Sequence, residues 1–262
     1  MTAQLIEVFF NTGACIALLM LAAWLASMPL RNASIADIVW GSGFVLVAWV
    51  TFFTVNRPLD VRQALLVGIS TFWGVRLSLH LFRRKHGKPE DERYQAMRAK
   101  YPNHFGWVSL VTVFGLQGVL MFGVSLPVQL GQLAPPVPLG VFAFVGIALC
   151  MVGLFFEVVG DHQLAQFVKT PSNKGKTMNV GLWRYTRHPN YFGDSCLWWG
   201  LGLIALETQF GVWGLAGPVI ITYLLTQVSG VPMLEKAMLK SNPRYKDYMA
   251  TTSAFVPWLP KK

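Results

Sequence analysis

Residues 138–158 read PLGVFAFVGIALCMVGLFFEV, with a single charge, Glu157, one position from the end. A stretch this long and this apolar is the length of a bilayer-crossing helix, about 20 residues. Six further apolar runs accompany it, at 5–29, 35–55, 62–82, 107–130, 192–206 and 211–233. The pattern predicts an all-α polytopic membrane protein with seven transmembrane helices, forming one domain over 1–262. The run at 192–206 is short and glycine-rich, and it leaves open a six-span form in which that segment lies in the interface. Composition agrees: 53% of the chain is hydrophobic and 13% charged, against about 25% charged in soluble domains. These figures exclude a soluble enzyme, and a chain so apolar does not stay solvated as a disordered one.

The formal charge of +10 raises the question of nucleic acid, but the distribution of basic residues answers it differently. With the N-terminus outside and the C-terminus cytoplasmic, the inside segments hold nineteen of the 22 basic residues. Arg57 and Arg62 alone fall outside, and Arg76 lies within a span, as the positive-inside rule requires. The long polar segments 83–106 and 159–191 then face the cytoplasm. Long loops in a compact protein are where a polar ligand is gripped. The three cysteines fall inside apolar runs with no CxxC spacing, and no metal site is expected.

Charges near the membrane are the next signal, because an ionised side chain at mid-bilayer costs roughly 2.5–3.5 kcal/mol on insertion scales. Asp37, Arg76, Glu157, Asp161 and Asp194 all sit toward the expected cytoplasmic ends of their spans. They suggest a polar cavity open to the cytoplasm. The densest segment is 179–194, NVGLWRYTRHPNYFGD. It brings Arg187, His188, Asn190, Tyr191 and Asp194 to one helix entrance, a mixture able to hold a phosphate and a hydrogen-bonding ring. The letters GxGxxA at Gly200, Gly202 and Ala205 carry no dinucleotide meaning inside an apolar run, and close helix packing is the expectation there.

The run Arg187-His188-Pro189-Asn190-Tyr191-Phe192-Gly193-Asp194 resembles the signature of the steroid 5α-reductase and sterol reductase superfamily. Supporting it are Arg31, Ser34, Asp37, Trp40 and Gly41 early, Trp73 with Arg76 and Leu77, Glu90-Asp91 with Arg93-Tyr94, and Tyr245 with Tyr248 before Phe255-Val256-Pro257. The resemblance implies an enzyme of the bacterial inner membrane that binds NADPH from the cytoplasm. It would reduce the C=C bond of an α,β-unsaturated ketone, a 3-oxo-Δ4-steroid or similar apolar lipid arriving from the bilayer. Hydride delivered to the β-carbon leaves negative charge on the ketone oxygen, which needs a donor. The family's glutamate for that task falls on Asp37, which the resemblance makes a neutral donor. Its tyrosine falls on Trp73 and the preceding glutamine on Ala36, two departures, so the missing hydroxyl is expected from Tyr94 or Tyr191, or an indole N–H from Trp73.

The cofactor residues implied in the same way are Arg76, Asp161, Lys176, Asn190 and Asp194. The basic loops add Arg84, Arg93 and Arg187, suited to phosphates, while Glu90 and Asp91 would orient those bases or meet ribose hydroxyls. His162, His188, Tyr191 and Tyr245 complete the expected cofactor surroundings. A second resemblance, to membrane methyltransferases of the isoprenylcysteine carboxyl type, rests on Arg-His-Pro-x-Tyr, the late Glu235 and the Tyr-x-x-Tyr tail, and implies S-adenosylmethionine instead. A transporter is the third class, disfavoured because the charges crowd at one face and no inverted repeat is visible.

Overall fold

The computed structural model describes residues 2–261 and is helical, with no strand among the described residues. In chain order the helices are α1 (Thr2–Leu30), α2 (Ile35–Val55), α3 (Val61–Lys85), α4 (Glu92–Lys100), α5 (Phe105–Ser109), α6 (Leu116–Val124) and α7 (Leu126–Leu133). They continue with α8 (Val141–Lys169), α9 (Pro189–Leu206), α10 (Gly211–Gly214), α11 (Ala216–Tyr223), α12 (Val231–Ser241) and α13 (Tyr245–Thr251). A π-helical segment, Leu110–Gly115, joins α5 to α6, and another, Leu224–Val228, continues α11.

Six helices are long and apolar enough to cross a membrane: Thr2–Leu30, Ile35–Val55, Val61–Lys85, Phe105–Val124, Val141–Lys169 and Gly211–Ser241. Large apolar side chains stand exposed along them, among them Phe10, Leu18, Val119 and Met151. In water such surface would be untenable, and in lipid it is the expected exterior. The chain is an integral membrane protein. The stretch expected as a further span, 192–206, is helical within α9, which is not among the six.

Three expected boundaries move. The fourth span ends at Val124, not 130, because Ser125 and Pro127 open the separate buried helix α7. Proline lacks an N–H, which costs nothing in a first helical turn. The expected loop 159–191 begins as helix, α8 running on to Lys169. The expected loop 83–106 contains α4, whose first turn is capped by Asp91, the carboxylate accepting from the Arg93 N–H at 3.1 Å.

The chain divides into two compact units. Unit 1 comprises residues up to Gly140 together with Ile204–Gly217. There α2 and α3 cross where Gly41 and Gly74 meet, so closely that a Cβ on either would collide with the other's carbonyl oxygen. The Ser42 N–H donates to Ser78 Oγ at 2.8 Å beside this crossing. The interior of this unit mixes apolar groups such as Val8, Val55, Leu130 and Leu133 with polar ones. Thr12 donates to Gln129 Oε1 at 2.9 Å, and Gln132 Nε2 donates to the Ala48 carbonyl at 3.2 Å.

Unit 2 comprises Val141–Leu203 and Pro218–Lys262. There α8 and α9 approach through small residues: a Cβ on Gly153 would lie 2.6 Å from the Gly193 carbonyl, and one on Gly200 would run into Cys150 Sγ. The Gly200 position thus serves close packing, as its apolar setting predicts. The tail closes over the 183–187 turn, with the Trp258 N–H donating to Tyr185 O at 2.9 Å and Thr186 Oγ1 to Phe255 O at 2.8 Å.

Candidate functional site

In unit 1, Asp37 stands in the first turn of α2 and gathers donors from three other segments. Lys85 Nζ, at the end of α3, makes a short ion pair with Oδ2, and Arg93 of α4 reaches the same oxygen at 3.0 Å. The Tyr94 hydroxyl donates to Oδ1 at 2.8 Å. Gln117 of α6 points its Nε2 at both Asp37 Oδ1 and Tyr94 Oη, 3.4 Å from each. The segment carrying Arg93 and Tyr94 is strapped to the α1–α2 turn. Glu90 accepts from the Ala33 N–H at 2.7 Å, and the Asp91 N–H donates to Ser34 Oγ at 2.9 Å. Arg98 closes the strap, donating to Glu90 at 2.9 Å while lying 3.9 Å over the Phe105 ring.

These partners set the electrostatics. Burial by itself would raise the Asp91 carboxyl, but the Arg93 hydrogen bond and charge, with Lys85 behind them, hold it down to about 2. Burial likewise works upward on Glu90, and Arg98 with the Ala33 N–H reverses it. Burial and the Asp37 charge push the Tyr94 hydroxyl well above the ordinary tyrosine range, so it keeps its proton. Asp37 itself accepts from two cations and a hydroxyl, the bonding of a carboxylate. Tyr94, which keeps its proton, and Asp37, the expected donor, thus share one hydrogen bond.

In unit 2, Arg187 and His188 converge on Glu235 of α12. Arg187 Nε donates to Glu235 Oε1 at 2.7 Å, and its Nη1 donates to the carbonyls of Met249 and Thr252 at 2.9 and 2.5 Å. Every one of these bonds is internal, so Arg187 clamps the C-terminal segment where the sequence suggests a phosphate ligand. His188 is 1% exposed, stacks on Tyr191 with ring centroids 5.4 Å apart, and brings Nε2 to 3.1 Å from Glu235 Oε1. Burial lowers its proton affinity, only partly offset by Glu235, so the ring is neutral. A carboxylate only accepts, which assigns the proton to Nε2 and leaves Nδ1 a buried acceptor with no hydrogen-bond partner among the described residues. Next to this, Asn190 Nδ2 donates to Asp161 Oδ1 at 3.2 Å, linking α9 to α8.

The remaining expected residues are spread more widely. Trp73 is fully buried, edge-to-face on Phe44 at 5.5 Å. Arg76 and Asp194 are half-buried, and Arg84, His162 and Lys176 are exposed. Tyr245 is buried edge-to-face on Tyr248, its hydroxyl pushed up to about 12 by burial and the Glu235 charge. Among the described residues no group of three His, Cys, Asp or Glu side chains could hold a metal. Three residues central to the geometry lie outside the site expected from sequence: Lys85 and Gln117 in unit 1, and Glu235 in unit 2, which enters only through the second resemblance. Lys85 looks like one more topology charge in the run Arg83-Arg84-Lys85, and nothing local marks it. The signal for Gln117 is its polarity within an apolar run.

An all-helical integral membrane protein with polar clusters at helix ends is the class that this fold defines. Residues 23–252 match the family described as protein of unknown function DUF1295, and the chain belongs to that family, one found in steroid 5α-reductase-like membrane proteins. An uncharacterized protein of Schizosaccharomyces pombe is 22% identical over 298 residues, an alignment covering 97% of this chain and 82% of the yeast protein. No solved structure matches the chain.

Proposed function

We propose that the protein reduces the C=C bond of an α,β-unsaturated ketone on a flat apolar lipid, such as a 3-oxo-Δ4-steroid, using NADPH. The observation that carries this reading is the Tyr94 hydroxyl held at 2.8 Å on Asp37, with Lys85 and Arg93 on the same carboxylate. As negative charge grows on the ketone oxygen, Tyr94 turns its O–H from Asp37 toward that oxygen. The two cations keep Asp37 satisfied when the bond is given up. A donor to a developing oxyanion is worth roughly 10²–10³ in rate. The role assigned to Asp37 is thus to position Tyr94, and the α-carbon proton comes afterwards from solvent or from a protonated side chain.

NADPH, when bound, supplies the hydride. The donor set of unit 2 suits it: the exposed base Lys176 matches phosphate, and the orphaned acceptor His188 Nδ1 beside Asn190 matches a carboxamide N–H. In this reading α9 is the seventh crossing, with the N-terminus outside, the C-terminus cytoplasmic and the cofactor loops facing the cytoplasm of a bacterial inner membrane. The test is isotopic: purified protein with 4-deuterated NADPH and a 3-oxo-Δ4-steroid should place one deuterium on the β-carbon of a saturated product. Deuterium appearing elsewhere, or oxidation of NADPH without saturated product, would reject it.

The methyltransferase reading retains one supporting observation. Its three motif residues, Arg187, His188 and Glu235, form a single buried knot. That knot is bound up internally, which favours a structural role and leaves the reductase reading ahead.

A further inference from the structure

A groove of about 580 Å³ on unit 2 lies between the 177–184 segment and α13, and nothing in the reductase reading uses it. Arg184 and Arg244 are among the residues that line it, both exposed and neither with an ion-pair partner among the described residues. The third arginine of this unit does differently: Arg187 is spent on Glu235 and backbone carbonyls. Planar guanidinium forks match phosphate oxygens in pairs.

The polar groups between them narrow the ligand. Thr177 Oγ1 accepts from Asn242 Nδ2 at 3.2 Å, which leaves the Thr177 O–H free to donate into the groove. Asn179 adds an amide in the same wall. Asp247 is the one acidic lining residue. It would oppose a bare anion but accepts hydroxyl protons well. Arg244 and Asp247 lie one helical turn apart at the start of α13, and a cation beside a hydroxyl acceptor in the same wall describes a phosphate ester carried on a polyol. The volume fits a group of that size and falls within the usual range for ligand sites, about 300–1,000 Å³.

We propose that this groove binds a phosphate ester with free neighbouring hydroxyls, Arg184 and Arg244 taking the phosphate and Asp247 a hydroxyl. The chemistry is shared by the phosphorylated ribose of a nucleotide and by the phosphoglycerol headgroup of an anionic lipid. The proposal stands whether or not the protein is a reductase.

The experiment is equilibrium binding to the purified full chain in neutral detergent, wild type against Arg184→Gln, Arg244→Gln and the double variant. Probes are NADPH against NADH, which lacks the 2′-phosphate, and short-chain phosphatidylglycerol against phosphatidylcholine. Neither arginine holds the fold, so the variants should melt with the wild type. At least one phosphate–polyol probe should bind in preference to its control and weaken at least tenfold in the double variant, with Asp247→Asn reducing the preference for the hydroxyl-bearing ligand. A preference for NADPH identifies the nucleotide as the source, and one for phosphatidylglycerol the lipid. Affinities for all four probes unchanged by the double variant would overturn the site. If NADPH binding survives that variant but is lost in Asn190→Ala, the groove falls and the cofactor reading remains.

Discussion

At the scale of single residues, the Tyr94 proton separates the roles of neighbours that the chain order keeps apart. Tyr94→Phe removes only the hydroxyl, so turnover on an enone should fall on the order of 10²-fold or more while NADPH affinity stays within about twofold. Single-turnover kinetics with a separate binding titration check both halves, and an undiminished rate would transfer the donor role elsewhere. Asp37→Ala should lose turnover too, with cofactor affinity kept, because Tyr94 would lose its anchor. Asp91 offers a cleaner pH test. Its folded carboxyl titrates near 2 against an ordinary value of 3.8. A lowered folded value adds stability that is complete above about pH 4 and is lost as pH falls toward 2. Asp91→Asn keeps an oxygen for the α4 cap but gives up the ion pairs. It should melt below wild type at neutral pH, by no more than about 1 kcal/mol after solvent screening, and the gap should close in acid. Legibility at this scale tracks sequence distance. Arg187 to Asp194 sit together in the chain and are visible as a cluster, whereas Lys85 joins Asp37 across 48 positions and Glu235 joins Arg187 across 48 as well.

At the scale of elements, the helices are legible because apolar length alone specifies them, and the details that aim the side chains are not. The π segment Leu110–Gly115 inserts an extra residue into the helix, rotating the turns beyond it by roughly 100° about the axis. Gln117 comes just after it and meets Asp37 and Tyr94, a direction that an ideal helix drawn from Phe105 would not give. Small residues mark the crossings instead. Gly74→Val would press a side chain against the Gly41 carbonyl and against Val45. Overpacking of this kind costs about 1–3 kcal/mol, and should appear as a lower melting temperature in detergent. Gly68→Ala on the same helix has no atom within 4 Å of the added Cβ. It should be neutral or gain up to about 1 kcal/mol from helix propensity. Equal losses in both variants would mean that the crossing is not what these glycines serve.

At the scale of the whole molecule, the membrane class is legible in composition, while the number of crossings rests on α9 alone. With seven crossings the 134–140 loop lies outside and the tail lies in the cytoplasm; with six, α9 stays in the interface and the tail emerges outside. In a background with Cys15, Cys150 and Cys196 replaced, Val137→Cys should react with an impermeant maleimide on intact cells. Lys261→Cys should react only after the membrane is opened. Labelling of both in intact cells would establish the six-span form. The central claim concerns the cofactor, and a ligand that binds only the folded state stabilises it as RT ln(1 + [L]/Kd). Thermal melts of the purified protein, titrated separately with NADPH and with S-adenosylmethionine, test it most directly. The predicted result is a saturable rise in melting temperature with NADPH and none with S-adenosylmethionine; a rise with S-adenosylmethionine alone would contradict the reductase and make the Arg187–His188–Glu235 knot the centre of a methyl-transfer site.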